Sequence, residues 1–212
     1  MSKWSYGDAY KRHPIAEQLR FEGGSILKVH DIFDPLPDFM KQADLLFTDP
    51  PWNIGNLNSF YTKAERTDYQ SSFERFYKRL FECIGEIGAS TCYVEVGKEH
   101  LAEFVLEMKR LYPAVTFYNS SYYHDKKNIC HVIRGAQKRK KMPLDYMDEE
   151  LIIEWICANE NYNCIGDLCM GRGLIAANAH KAGKRFVGTE LNHKRLSVAA
   201  EKIIKLGGKI SG

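Results

Sequence analysis

The stretch Leu45-Leu46-Phe47-Thr48-Asp49-Pro50-Pro51-Trp52 limits the fold more than any other part of the chain. An apolar run of four residues bounded by Asp44 and a double proline is too short for a helix and reads as a strand buried on both faces. The prolines stop it abruptly, because neither can donate to a strand ladder and each fixes its own φ. Asp49 is thereby held at the carboxyl end of a strand in an α/β sheet, where such sheets place their ligands. Pro51 has no N–H, so the Pro50 carbonyl lies in rigid, donor-poor backbone beside the Asp49 carboxylate. Two acceptors followed by a large flat aromatic suit a planar ring that carries an exocyclic amino group. Asp49 and the Pro50 carbonyl each accept one N–H, and Trp52 stacks on the ring. The plainer alternative is a strand-ending turn with Trp52 in the core.

A chain of 212 residues is expected to form one domain (1–212, with 1–23 as an amino-terminal extension) and to bury a sizeable core. A net charge of +3 is too small to imply a polyanion partner, so such a partner must be sought in local clusters. The six cysteines form no Cys-x-x-Cys pair and the seven histidines no metal set, so no metal is expected. Mostly apolar surroundings make the cysteines reduced thiols of an intracellular, cytoplasmic protein. The amino terminus shows no apolar signal region, and no apolar run is long enough to span a membrane.

Along the chain, residues 1–23 are polar and aromatic, with one short helix expected near residues 15–21. Residues 25–29 form a strand ending at His30-Asp31. The polar stretch 53–72 reads as a long functional loop, from which Asn56, Asn58, Tyr61, Arg66 or Tyr69 can contact a neighbouring base. Phe73, Phe76, Leu80, Phe81, Ile84 and Ile87 recur at helical spacing. Residues 91–96 are a strand and 101–108 a helix. Residues 115–118 and 129–133 form a closing strand pair, with Tyr122 and Tyr123 between them. From 126 to 141 there are seven lysines and arginines and no acid. This run is either a solvated face or, beside two tyrosines and the presumed site, a phosphate contact through Lys126, Lys127, Lys138, Arg139 and Lys140.

A second constellation follows. Residues 164–168 are a strand leading into Cys169-Met170-Gly171-Arg172-Gly173, a small-residue helix comes next, and the strand 185–188 is followed by Glu190. Strand, Gly-x-Gly turn, helix, strand and acid is the plan of a nucleoside-cofactor site. No third glycine follows at the pyrophosphate spacing and no Gly-Lys-Ser/Thr loop is present, which favours a nucleoside without a phosphate chain, such as S-adenosylmethionine.

Asp49-Pro50-Pro51-Trp52 together with residues 167–173 and Gly188-Thr189-Glu190 resembles the S-adenosylmethionine-dependent amino-methyltransferases acting on the exocyclic nitrogen of adenine or cytosine. The motif order, catalytic ahead of cofactor, resembles their circularly permuted beta group, and Asp-Pro-Pro-Trp its adenine-N6 members. The resemblance implies a Rossmann-like, seven-stranded methyltransferase sheet, mostly parallel with an antiparallel closing strand. It implies that Asp49, Pro50, Pro51 and Trp52 hold the target base. Asp167, Gly171 and Gly173 would line the methionine part of the cofactor, Glu190 would hold its ribose and Asp31 would face its adenine, with Cys169 and Asn192 also binding the cofactor. Lys141 would pair with its carboxylate. Leu168-Cys169 and Arg172 depart from the family's Pro-Phe and small residue at those places.

The expected reaction is a direct methyl transfer to the N6 amino group of adenine in DNA. RNA adenosine methylation and a non-catalytic nucleic-acid-binding subunit are the competing readings. A carbon-5 cytosine mechanism needs a cysteine after proline, and no Pro-Cys occurs. Residues 135–142 leave no room for a target-recognition domain between the strand pair and the cofactor half. Specificity is therefore expected to be loose, or supplied by a partner or a second copy of the chain.

Overall fold

The computed structural model describes residues 6–66 and 72–211. A four-residue helix, α1 (Ala9–Arg12), precedes a short antiparallel hairpin of β1 (Gln18–Arg20) and β2 (Ile26–Val29). The chain continues through β3 (Leu45–Thr48), α2 (Ile54–Lys63), α3 (Phe73–Ile87), β4 (Thr91–Val96) and α4 (Leu101–Leu111). A hairpin of β5 (Ala114–Ser121) and β6 (Ile129–Ala136) comes next, then the two-residue β7 (Met147–Asp148). The last part is α5 (Glu149–Asn159), β8 (Cys164–Asp167), α6 (Leu174–Lys181), β9 (Arg185–Glu190) and α7 (His193–Lys205).

Among the described residues these strands form one sheet in the order β1-β2-β9-β8-β3-β4-β6-β5-β7. The seven inner strands match the expected number. Two short strands at the edges raise the total to nine. β6 lies antiparallel between β4 and β5, while β2, β9, β8, β3 and β4 run parallel. Although far apart in sequence, β3, which ends in Asp49-Pro50-Pro51-Trp52, pairs directly with β8, which leads into the Gly171-Arg172-Gly173 turn, Leu46 opposite Gly166. The permuted motif order thus leaves the two halves side by side.

Alternation along β3 divides the core. Leu46 joins α3 and α4 on one face, with Phe76, Leu80 and Phe104. Leu45 and Phe47 join α5, α6 and α7 on the other, with Ile152, Ala176 and Leu196. The helices carry the caps that their sequences provide. Ser72 accepts from Arg75 N at the start of α3, and Gly88 ends that helix with φ of 69°. Asp148 caps α5 and Asn192 caps α7.

Two expectations are corrected. The stretch 53–72 is not a plain loop: residues 54–63 are helical, capped by the Asn53 side chain. Only Leu57 and Tyr61 of that helix are buried, one turn apart, and two apolar anchors in a polar sequence are too weak a periodic signal. Tyr69, offered as a base contact, lies outside the described residues. In the extension the helix is at Ala9–Arg12, where an Arg12–Glu201 ion pair at 2.6 Å ties it to α7, and residues 18–20 are a strand. The alternating burial of that strand, with only Leu19 turned inward, is a period-2 pattern too short to recognise.

Candidate functional site

Five adjacent parallel strands each carry an acid at or just past the carboxyl end. In sheet order these are Asp31 after β2, Glu190 on β9, Asp167 on β8, Asp49 after β3 and Glu95 on β4. Asp167, Glu190 and Glu95 are 2%, 7% and 1% exposed. Among the described residues, none of Asp49, Glu95, Asp167 and Glu190 forms an ion pair with a lysine or arginine; Arg195 on α7 is close enough only to favour ionised Asp49 and Glu190. Buried carboxylates without a paired cation are costly. The row is therefore suited to a ligand that brings positive charge or several hydrogen-bond donors.

Burial pushes the Asp167 carboxyl up to about 8, against the Cys169 N–H that donates to its Oδ1 at 3.0 Å. Glu190 is likewise pushed up by burial, while its oxygens accept from Gly171 N at 2.7 Å and Asn192 N at 2.9 Å. Those two bonds fix the carboxylate against the glycine turn. Gly173 has a φ of 70°, and a Cβ there would lie 2.5 Å from Ala199 Cβ, so α7 can approach only a glycine. Asp31 accepts from Phe33 N at 3.1 Å and from the Tyr61 hydroxyl at 2.6 Å. Asn192 also donates to Lys63 O at 2.8 Å, and Lys194 pairs with Glu65 at 2.8 Å. α2 is thus tied to β2 at Asp31 and to the start of α7.

In Asp49-Pro50-Pro51-Trp52, both prolines are buried and Trp52 is half-buried. The Trp52 indole N–H donates to Asp49 Oδ1 at 2.9 Å. Desolvation, and next the neighbouring Glu149 carboxylate, push the Asp49 carboxyl up; Trp52 and Arg195 oppose this. Asp49 is exposed to water, which tempers the desolvation but leaves the direction upward. Tyr122 meets Trp52 edge-on with centroids 5.1 Å apart, and Tyr123 meets Tyr122 at 4.8 Å. Tyr123 and His124 have left-handed backbones, φ 63° and 54°. The turn is pinned by His124 N, which donates to Asp148 Oδ2 at 2.9 Å. Such strain persists where the surroundings impose it.

The structure therefore brings together Asp31, Asp49, Pro50, Pro51, Trp52, Tyr122, Tyr123, Asp167, Cys169, Gly171, Gly173, Glu190 and Asn192 at one end of the sheet, with Lys126 and Lys127 exposed on the hairpin beside it. It does not bring Lys138, Arg139 and Lys140 there. β6 runs antiparallel, and its last residue, Ala136, faces Thr91 at the start of β4. Arg134 holds Lys138 O at 3.2 Å, and Lys140 bonds Glu160 at the far end of α5 at 3.3 Å. The expectation that this basic cluster borders the site is corrected: it lies at the opposite end of the strands. Lys141 follows at once, exposed, and does not reach Glu190 or Asp167. The segment that returns to the site is Met147–Asp148, which pairs with Ser120 and Ser121, followed by Glu149.

Sequence reasoning missed Glu95, Glu149 and Arg195, and it offered Tyr61 as a base contact where the structure has its hydroxyl donating to Asp31. Glu95 carries the clearest signal, an acid near the carboxyl end of the apolar strand Thr91–Val96. Among the described residues, Glu95, Cys130 and Glu149 place one ligand atom each within 4.8 Å of one another. Burial pushes the Cys130 thiol up, keeping it protonated, which makes it a poor metal ligand.

No family model matches the sequence. No curated protein matches it either. Solved structures do share the fold. The crystal structure of the M1.HpyAVI–SAM complex is 12% identical, with a TM-score of 0.59, covering 84% of this chain and 98% of that one. M1.HpyAVI alone gives 14% identity and a TM-score of 0.56, covering 84% and 97%. TTHA0409 of Thermus thermophilus, described as a putative DNA modification methylase complexed with S-adenosyl-L-methionine, is 14% identical with a TM-score of 0.58, covering 84% and 94%. The chain has the fold of these proteins over most of its length.

Proposed function

We propose that this chain transfers a methyl group from S-adenosylmethionine to the exocyclic N6 amino group of adenine in DNA. The observation that carries this reading is the adjacency of β3 and β8, which sets the Asp49-Pro50 acceptor pair next to the uncompensated acids Asp167 and Glu190. The fold shared with a SAM complex and with a putative DNA modification methylase supports it.

A ligand with a cationic centre and ribose hydroxyls fits this row of acids. Asp31, Asp167, Glu190, Asn192 and the turn Cys169-Met170-Gly171-Arg172-Gly173 would hold the cofactor. Bound there, S-adenosylmethionine supplies a methyl group activated by a positively charged sulfur. Asp49 and the Pro50 carbonyl accept the two amino N–H bonds of the target base. The lone pair of that nitrogen, otherwise delocalised into the ring, is thereby turned toward the methyl. Trp52 keeps Asp49 oriented through its indole N–H, and Trp52 and Tyr122 offer aromatic surfaces to an extruded base. Asp49 ends the reaction as the first acceptor of the amino proton, and a carboxyl raised above the usual carboxylate range is better suited to taking that proton.

Lys126 and Lys127 on the hairpin contact phosphates, which position the duplex without reading its sequence. Only residues 137–146 join β6 to β7, too few for a recognition domain, so the preferred sequence is short. The test is transfer of labelled methyl from S-adenosylmethionine to DNA and to RNA, with the modified base identified by mass spectrometry. N6-methyladenine in DNA is expected. Label only in RNA, or only in N4-methylcytosine, overturns the substrate; no label in either, with intact cofactor binding, overturns the activity.

A further inference from the structure

The carboxylate of Asp31 is held from two directions through one of its oxygens. Phe33 N donates to Oδ1 at 3.1 Å from the chain just beyond β2, and the Tyr61 hydroxyl donates to the same atom at 2.6 Å from α2. Among the described residues no donor reaches Oδ2. Asp31 is half-buried, so a ligand can still reach that oxygen. Register places Asp31 beside the acid assigned to the ribose. Val29 on β2 pairs with Glu190 on β9, and His30 N continues the ladder with a bond to Glu190 O at 3.0 Å. Neighbouring strands are about 4.8 Å apart, so a nucleoside whose ribose bonds Glu190 brings its base to Asp31.

Tyr61 comes from α2, which acts as a strap. The helix starts just after Trp52, capped by Asn53, and its ten residues at about 1.5 Å each span about 15 Å. From β3 across β8 and β9 to β2 is three strand spacings, about 14 Å. α2 therefore passes the ends of β8 and β9 and arrives at β2. There Tyr61 bonds Asp31, and Lys63 O accepts from Asn192 Nδ2 at 2.8 Å. Glu65 pairs with Lys194 at 2.8 Å, and the Arg195 guanidinium lies 4.4 Å from the centroid of the Phe60 ring. Tyr61 is 4% exposed. A phenylalanine would fill the same space; the hydroxyl adds the short, charge-assisted bond to Asp31.

We infer that Tyr61 is a positioning residue that selects the base of the cofactor: it fixes Asp31 so that Oδ2 accepts from the 6-amino group of the cofactor's adenine, a role that rests on the proposed S-adenosylmethionine reading of this site. The amino group is the donor that adenine offers on its edge, whereas the unsubstituted ring nitrogens are acceptors and give a carboxylate oxygen nothing to bind. An acceptor already oriented discriminates the amino purine from one that lacks the group. A carboxylate free to turn does so less well, because it has to be ordered at each binding event. Through α2, recognition of that base also depends on the segment that follows Asp49-Pro50-Pro51-Trp52. Tyr61 acts through Asp31 and is not assigned a contact with the cofactor.

The test is calorimetric titration of the full chain with two ligands: S-adenosylhomocysteine, and its analogue with hydrogen in place of the adenine 6-amino group. The wild-type chain should bind the first roughly tenfold or more tightly than the second. Tyr61→Phe should weaken the first roughly 3–10-fold, within the worth of one hydrogen bond, and leave the second unchanged. The ratio of the two affinities in one preparation does not depend on how much of it is folded, so a general loss of structure cannot imitate this result. Asp31→Ala, which leaves the Tyr61 ring in place, should remove the discrimination, and adding Tyr61→Phe to it should change nothing further. Tyr61→Phe weakening both ligands alike, or neither, overturns the inference and leaves the cofactor reading intact, as does discrimination that survives Asp31→Ala. A wild-type chain that binds neither S-adenosylmethionine nor S-adenosylhomocysteine overturns that reading, and the role of Tyr61 with it.

Discussion

Replacing Asp167 by Asn should make the ligand-free protein more stable and the cofactor-bound protein weaker. Asp167 is 2% exposed at the end of β8, and burial holds its carboxyl at about 8 against an ordinary 3.8. A group whose folded pKa is raised contributes stability that is complete below the unfolded pKa. That contribution is lost as pH rises through the folded pKa. At pH 7 the carboxyl is ionised in the unfolded chain and mostly neutral in the folded one. Folding must therefore take up a proton across roughly three pH units, a cost of about 4 kcal/mol at 1.36 kcal/mol per unit. Asparagine keeps an oxygen to accept the Cys169 N–H and has no charge to neutralise, so about 2–4 kcal/mol of stability should be recovered at pH 7. Urea denaturation of both proteins between pH 4 and 9 measures this. The curves should meet near pH 4, diverge up to about pH 8 and run parallel above. Titration with S-adenosylmethionine should show the variant binding less tightly, because a carboxylate facing a sulfonium has been removed. A variant less stable than wild type at pH 7, or one with the wild-type slope, would mean that Asp167 is ionised in the folded chain and that another group compensates it.

Three further outcomes are expected. Asp49→Ala should abolish methyl transfer while leaving cofactor affinity within a few-fold, as calorimetry and a methylation assay on the same preparation would show; turnover near wild type removes the central role of Asp49. Glu190→Ala should weaken cofactor binding by about 1.5–3 kcal/mol, the usual worth of hydrogen bonds to a charged group, and unchanged calorimetric affinity would place the ribose elsewhere. Lys126→Ala with Lys127→Ala should lower the salt dependence of DNA binding by up to about two phosphate contacts, whereas the same change at Lys138, Arg139 and Lys140 should leave it unaltered; the reverse result would put the DNA at the opposite end of the strands.

The parts of this fold legible in the sequence are those where one local rule acts alone. A four-residue apolar run closed by two prolines admits one reading, so β3 and the place of Asp49 could be located from residues 45–51. The glycine turn is equally local, and α3 shows a full apolar stripe between a serine cap and a glycine stop. α2 was hidden because its helicity depends on contacts supplied from elsewhere. Tyr61 bonds Asp31 on β2, Asn192 holds Lys63 O, and neither partner is visible from a polar stretch read by itself. Chain direction defeated the reading of the basic run. Residues 126–141 look like one cluster in sequence, yet β6 carries its two halves to opposite ends of the strands.

Glu95 shows the same limit at the site itself. In sequence it is a single acid in an apolar strand, which is as consistent with an edge position or a structural salt bridge as with chemistry. Its place beside the site appears only when β4 is laid beside β3 and the start of α5 arrives from a distant part of the chain, bringing a carboxylate oxygen of Glu149 within 4.8 Å of one of Glu95. Motifs in a sequence report residues that act through their immediate neighbours, as Asp49 does with Pro50 and Trp52. A carboxyl pair assembled from two strand ends and a helix start leaves no spacing to find. The physical mark it does leave is a charged side chain at a position where the strand pattern demands burial, and that mark identifies Glu95 as the residue whose environment has to be explained.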